Sequence, residues 1–204
     1  MDKIYASVVA GDVDGVVSGV RKALDEGASP VQIINEALIK AMDEVGGKMK
    51  SGEMFVPEVL VSAKAMKEGL AIVKPLLEGE SYSQGKIVIG TVAGDLHDIG
   101  KNLVAMLLES AGFDVVDLGV DVPTEKFLAA IQRHNPTIIG LSALLTTTMA
   151  VMRETVKAIV DNYPKVKIMV GGPQVSQEFA DEINAHGYAP DAAAAAELAK
   201  KLLK

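Results

Sequence analysis

The hydrophobic period of this chain changes near residue 86, and that change limits the folds open to it. Before it, apolar residues recur at helical spacing. Val13, Val16, Val17, Val20 and Leu24 form one stripe, ended by Gly27. Ser29-Pro30 then supplies an N-cap and a first-turn proline for a helix with Ile33, Ile34, Ala37, Leu38, Ala41, Met42 and Val45 on one side, weakened by Gly46-Gly47 and Gly52. Pro57 starts another, with Val59, Leu60, Ala63, Met66, Leu70 and Val73. A short helix near Ile4–Ala10 makes four, the number of a small bundle. After it, apolar strand patterns at 86–92, 114–119, 137–142, 166–171 and 187–189 alternate with helical patterns at about 100–111, 124–133, 148–162, 176–184 and 192–203. Such alternation predicts a parallel, doubly wound, flavodoxin-like α/β sheet. The expected organisation is a helical cap domain over 1–80, a polar Gly/Ser linker at 81–85 within Gly79–Gly85, and a Rossmann-like domain over 86–204.

Composition removes several chemistries. There is no cysteine, which excludes disulfides, thiolate nucleophiles and cysteine-ligated metals. Only three histidines exist, His97, His134 and His186, so a multi-histidine site is not expected. The formal charge of −7 lacks the basic face a nucleic-acid binder needs. Neither a signal-peptide pattern nor an uninterrupted apolar span is present, so the cytoplasm is the expected compartment and no membrane partner is expected.

Chemistry concentrates in loops that follow strands, at the sheet edge where such folds bind ligands. Asp95-Leu96-His97-Asp98-Ile99-Gly100 lies between the first strand and its helix. A carboxylate two residues from an imidazole can hold one ring nitrogen and leave the other basic, as a metal-ligating histidine requires. Ser142-Ala143-Leu144-Leu145-Thr146-Thr147-Thr148 follows the third strand, and Gly171-Gly172 the fourth. Read singly, His97 is an ordinary loop histidine bonded to Asp95. Thr146–Thr148 are then a helix N-cap region, and Gly171-Gly172 a turn.

Together, Asp-x-His-x-x-Gly, Ser-x-Leu and Gly-Gly, with 41 residues from Gly100 to Ser142 and 26 from Leu144 to Gly171, resemble the corrinoid-binding module of cobalamin-dependent methyltransferases and mutases. The helical first part is similar to the cap of the methyl-transferring branch. The resemblance therefore spans nearly the whole chain, at the size of a stand-alone corrinoid protein.

That resemblance implies roles. His97 would be the lower axial ligand of cobalt in a base-off cobalamin or related corrinoid. Asp95 would accept a hydrogen bond from the other nitrogen of His97. Thr148 stands where methionine synthase has the relay serine, and would bond Asp95. Such a relay gains a proton as His97 leaves cobalt and loses it on return. Ser142 would bond the displaced nucleotide tail, which Gly171, Gly172 and Gly100 would let pass close to the backbone. Asp98, Leu144 and Thr146 also fall at cofactor-binding positions, although Asp98, like Lys101, also reads as a solvated charge at a helix start. Met54 and Phe55 would shield the upper cofactor face from the cap, or else belong to its core. His134 and His186 read as surface residues.

The implied function is a methyl carrier, a component of a multi-component methyltransferase rather than a stand-alone enzyme. It would take methyl from a substrate-specific methyltransferase and pass it to a second one acting on tetrahydrofolate or coenzyme M. A reductive activation protein would be a further partner. The Gly79–Gly85 stretch would be the hinge. The alternatives are a cobalamin-dependent sensor or regulatory module, a mutase subunit, and a generic flavodoxin-like nucleotide protein, for which no phosphate-cradling glycine motif exists.

Overall fold

A computed structural model describes residues 1–77 and 83–203. The chain divides into two compact units, Met1–Ser83 with Ser110–Gly112, and Gln84–Glu109 with Phe113–Lys204. Residues 79–82 of the proposed hinge, which include the first two of the proposed linker at 81–85, lie outside the described residues.

The first unit is helical. α1 spans Asp2–Val9 and α2 Val13–Asp25, the latter capped by Asp12, whose carboxylate accepts from the Gly15 amide. Ser29 caps α3 (Pro30–Ile33) through the Gln32 amide. A π-helical segment, Ile34–Ile39, follows and leads into α4 (Lys40–Ser51). The expected weakening at Gly46-Gly47 does not occur; the helix runs through both glycines and stops at Gly52, whose φ of 78° provides the left-handed C-cap. α5 spans Val56–Val73, with the Glu58 carboxylate accepting from the Phe55 amide at its start. Val16, Val20, Ile33, Leu38, Val45, Val59, Met66 and Val73 are buried together in this unit as their spacing requires. Leu60, expected on the buried stripe of α5, is exposed.

The second unit is a five-stranded, all-parallel sheet in the order β2-β1-β3-β4-β5. Its strands are β1 (Lys86–Thr91), β2 (Asp114–Asp117), β3 (Ile138–Ser142), β4 (Lys167–Gly171) and β5 (Gly187–Ala189). The intervening helices are α6 (Ile99–Ser110), α7 (Thr124–His134), α8 (Thr146–Asn162) and α9 (Gln177–Glu182), and α10 (Ala192–Leu202) closes the unit. Val88, Ile139, Leu141, Ile168 and Val170 from the strands pack with Phe127, Met152, Val156 and Ile159 from the helices. Burial on both faces explains why these strands are continuous apolar runs rather than alternating ones.

The strand order is that of a flavodoxin-like doubly wound sheet. Winding leaves β1 toward β2 in one direction and toward β3 in the other. The loops leaving β1 and β3 therefore diverge at their carboxyl ends, opening a crevice at this switch point. The Asp95-His97 loop leaves β1, and the Ser142–Leu145 loop leaves β3.

Candidate functional site

Asp95 is fully buried at the centre of the crevice. Its Oδ1 accepts from the His97 amide at 3.1 Å and from His97 Nδ1 at 2.7 Å. Its Oδ2 accepts from the Leu144 amide at 2.7 Å, the Leu145 amide at 3.3 Å and Thr148 Oγ1 at 2.9 Å. Burial pushes the Asp95 carboxyl up, but the converging donors, led by the Leu144 amide and the His97 ring, hold it well below the usual carboxylate range. Asp95 is therefore an ionised acceptor, with no proton to donate. The shared proton must sit on Nδ1 of His97, and Nε2 is the ring nitrogen that makes no contact with the carboxylate.

The His97 side chain is 52% exposed although its carboxylate partner is wholly buried. Leu96 and Ile99 on either side are 72% and 86% exposed. One fixed imidazole thus stands among outward-facing aliphatic side chains. Thr148 is buried at the first turn of α8, and its single hydroxyl proton lies between Asp95 Oδ2 and the Leu145 carbonyl, 2.8 Å away. Threonine at this position serves the carboxylate and the helix start together.

The other expected positions separate. Leu144 joins the network through its amide rather than its side chain. Ser142 ends β3 beside Gly171 in the parallel register, and among the described residues its hydroxyl has no partner. Gly172 has φ 133°, and a Cβ there would lie 1.8 Å from the Ala143 carbonyl oxygen. That glycine is demanded by the neighbouring loop itself. At Gly171 a Cβ would meet the Ala189 carbonyl at 3.1 Å. Gly100, in the first turn of α6, has open space around it and no positive φ. Asp98 is exposed and accepts from the Asn102 side chain at 3.0 Å, and Thr146 is exposed at the start of α8. Met54 is half-buried and Phe55 is 68% exposed at the entry to α5, so the Phe55 ring is not core.

Several contributors were not expected. Lys101, expected to be solvated, is buried and paired with Asp117. Thr91, fully buried, donates from Oγ1 to the His97 carbonyl at 2.9 Å. Asp121 accepts from the Gly94 amide at 2.7 Å. The available signal was Asp117-Leu118-Gly119-Val120-Asp121, an acidic loop following a strand at the same sheet edge. His186 is exposed as expected, but its Nδ1 accepts from the Ile168 amide at 3.1 Å. Asp191 caps α10 through the Ala194 amide.

A buried carboxylate, a half-exposed imidazole and a buried hydroxyl thus meet at the switch point of a flavodoxin-like sheet. Residues 85–197 match one B12 binding domain model and residues 1–74 another. The chain belongs to the B12-binding family. It is 45% identical, over its whole length and 97% of the relative, to a corrinoid protein of Desulfitobacterium hafniense. It is 40% identical over its whole length to a dimethylamine corrinoid protein of Methanosarcina acetivorans, covering 97% of it. Among solved structures, it aligns to the methanol:cobalamin methyltransferase complex of Methanosarcina barkeri with a TM-score of 0.90 and 36% identity, over 98% of this chain and 78% of that one.

The residues fit a corrinoid. No cluster of three or more His, Asp or Glu that could hold a metal ion exists among the described residues, so His97 offers a single nitrogen. One imidazole with its Nδ1 fixed by a carboxylate would suit a metal whose remaining ligands come from a macrocycle. No helix among the described residues is long and apolar enough to cross a membrane.

Proposed function

We propose that this chain is a corrinoid-binding methyl carrier of a multi-component methyltransferase system. The observation that carries the reading is the His97–Asp95–Thr148 chain of hydrogen bonds, which fixes Nδ1 of His97 at the switch point of the sheet. Its support is the similarity, over at least 98% of this chain, to proteins named as dimethylamine and methanol corrinoid proteins.

The cobalt of the corrinoid supplies the carbon–metal chemistry by which a methyl group is accepted and released. The chain's residues do the rest. His97 would hold the cobalt through Nε2, in place of the cofactor's own base. Asp95 fixes the Nδ1–H tautomer and raises the basicity of Nε2. Thr148 holds the carboxylate rotamer and satisfies its Oδ2. The buried Asp95 carboxylate would hold the His97 ring in place whether or not Nε2 holds the corrinoid. The unpartnered Ser142 hydroxyl bonds the nucleotide tail, beside the Gly171-Gly172 turn. Asp98, Gly100, Leu144 and Thr146 would be further cofactor contacts, as would Met54 and Phe55. The domains run 1–80, 81–85 and 86–204. The partners are a substrate-specific methyltransferase, a second methyltransferase acting on tetrahydrofolate or coenzyme M, and a reductive activation protein, in the cytoplasm.

The test is reconstitution of the apoprotein with hydroxocobalamin, desalting, and an ultraviolet–visible spectrum. Near-stoichiometric retained corrinoid, and methylcobalamin bound at least as well as adenosylcobalamin, support the carrier. A colourless protein after desalting overturns it.

A further inference from the structure

We propose that the β2–α7 loop is the device that aims the ligand histidine, with Asp121 as its positioning residue. The inference rests on the reading of His97 as an axial ligand, and adds residues outside the Asp-x-His motif that hold it.

Asp121 touches the His97 loop at two points. Its carboxylate Oδ1 accepts from the Gly94 amide at 2.7 Å, and its own amide donates to the Asp95 carbonyl at 3.0 Å. Both contacts require unusual backbone: Gly94 has φ 81° and Asp121 has φ 51°. A non-glycine residue with positive φ carries conformational cost, and such cost persists where the surroundings over-determine it. Here the return is a clamp across the two residues that present the Asp95 carboxylate to His97.

The loop is itself anchored at its other end. Buried Lys101, in the first turn of α6 and four residues beyond His97, pairs with Asp117, whose Oδ1 accepts from the Gly119 amide at 2.9 Å. The Gly119 carbonyl accepts from the Thr91 amide at 3.0 Å, and the Thr91 hydroxyl holds the His97 carbonyl. The network therefore closes on itself, from His97 through Thr91 and Gly119 to Asp117 and Lys101, and from Asp121 back to Gly94. Asp121 is exposed, so its side chain is not part of the core packing.

The experiment compares Asp121→Gly, Asp121→Asn, Thr91→Val and Asp95→Ala with the parent. Asp121→Gly keeps the positive φ and removes the acceptor, whereas Asp121→Asn keeps both. Two readouts are used: the His97 tautomer ratio in apoprotein by nitrogen-15 NMR at a pH where the ring is neutral, and nitrogen superhyperfine splitting in the Co(II) resonance of corrinoid-loaded protein. The inference expects the Nδ1–H to Nε2–H ratio to fall about tenfold in Asp121→Gly, with a smaller fall in Thr91→Val and restoration in Asp121→Asn, the scale of one lost charge-assisted hydrogen bond. The superhyperfine pattern should broaden in the same order, at unchanged thermal midpoint for Asp121→Asn. A parent-like tautomer ratio in Asp121→Gly, while Asp95→Ala collapses it, overturns the inference. Should the loaded parent show no nitrogen splitting that depends on His97, the axial-ligand reading fails instead, and the apoprotein tautomers still decide whether Asp121 aims the ring.

Discussion

Two loops at the same sheet edge are built on opposite principles. The β1–α6 loop is held by side chains: Asp95 gathers donors from His97, Leu144, Leu145 and Thr148, while Thr91 and Asp121 secure the main chain. The β4–α9 loop is held by the absence of a side chain, because Gly172 leaves room for the Ala143 carbonyl that a Cβ would strike. The first loop fixes a proton and a ring orientation; the second fixes only a shape. A polar network can lose one member and keep part of its function, whereas a steric requirement fails at once.

The largest effect should come from the steric side. Gly172→Ala is expected to destabilise the protein by about 3–5 kcal/mol, since both the φ and the 1.8 Å approach oppose a Cβ. Urea denaturation of the apoprotein checks it, and a cost within experimental error would remove the contrast between the loops. Next is Asp95→Ala, which strands the Leu144 and Leu145 amides; it should cost about 3 kcal/mol. Asp95 also carries a pH signature. Its folded-state carboxyl lies below the ordinary range, so its stabilisation is full above the unfolded carboxylate pKa of about 4 and is lost as pH falls toward the folded value. Thermal midpoints of the parent should therefore fall more steeply than those of Asp95→Ala on acidification below about pH 4. Equal slopes would mean that Asp95 is not the stabilised anion described here.

Thr148 gives a finer cut. Thr148→Val is nearly isosteric and should cost about 1–2 kcal/mol with a loosened His97 ring, and Thr148→Ser should restore both. The smallest change sharpens the comparison from the other direction. Gly100→Ala, in open space within α6, should stabilise the apoprotein by about 0.5–1 kcal/mol. If it also lowers corrinoid retention, that glycine exists for the cofactor, as Gly172 exists for the fold.

The sheet was legible because strand and helix periods are properties of local sequence, and all five strands fall at the expected places. The meeting of Asp95, His97 and Thr148 was legible only through the resemblance to the corrinoid-binding module. What stayed hidden depends on tertiary contact. Asp121 lies 27 residues from Gly94 and meets it only because β1 and β2 are neighbours. Lys101 reads as a solvated charge until Asp117 is brought to it. The π-helical segment Ile34–Ile39 has no marker residue, and Gly46-Gly47 stay helical because bundle packing outweighs their low propensity. Leu60 keeps helical spacing with buried neighbours yet faces outward.

The central claim is that the cobalt ligand is His97 and not the cofactor's own base. The most direct measurement is the Co(II) paramagnetic resonance of protein reconstituted after histidine-selective nitrogen-15 labelling, alongside the same preparation of His97→Ala. The account predicts that the superhyperfine pattern changes from triplet to doublet on labelling and disappears in His97→Ala. A triplet that survives both labelling and substitution would contradict it.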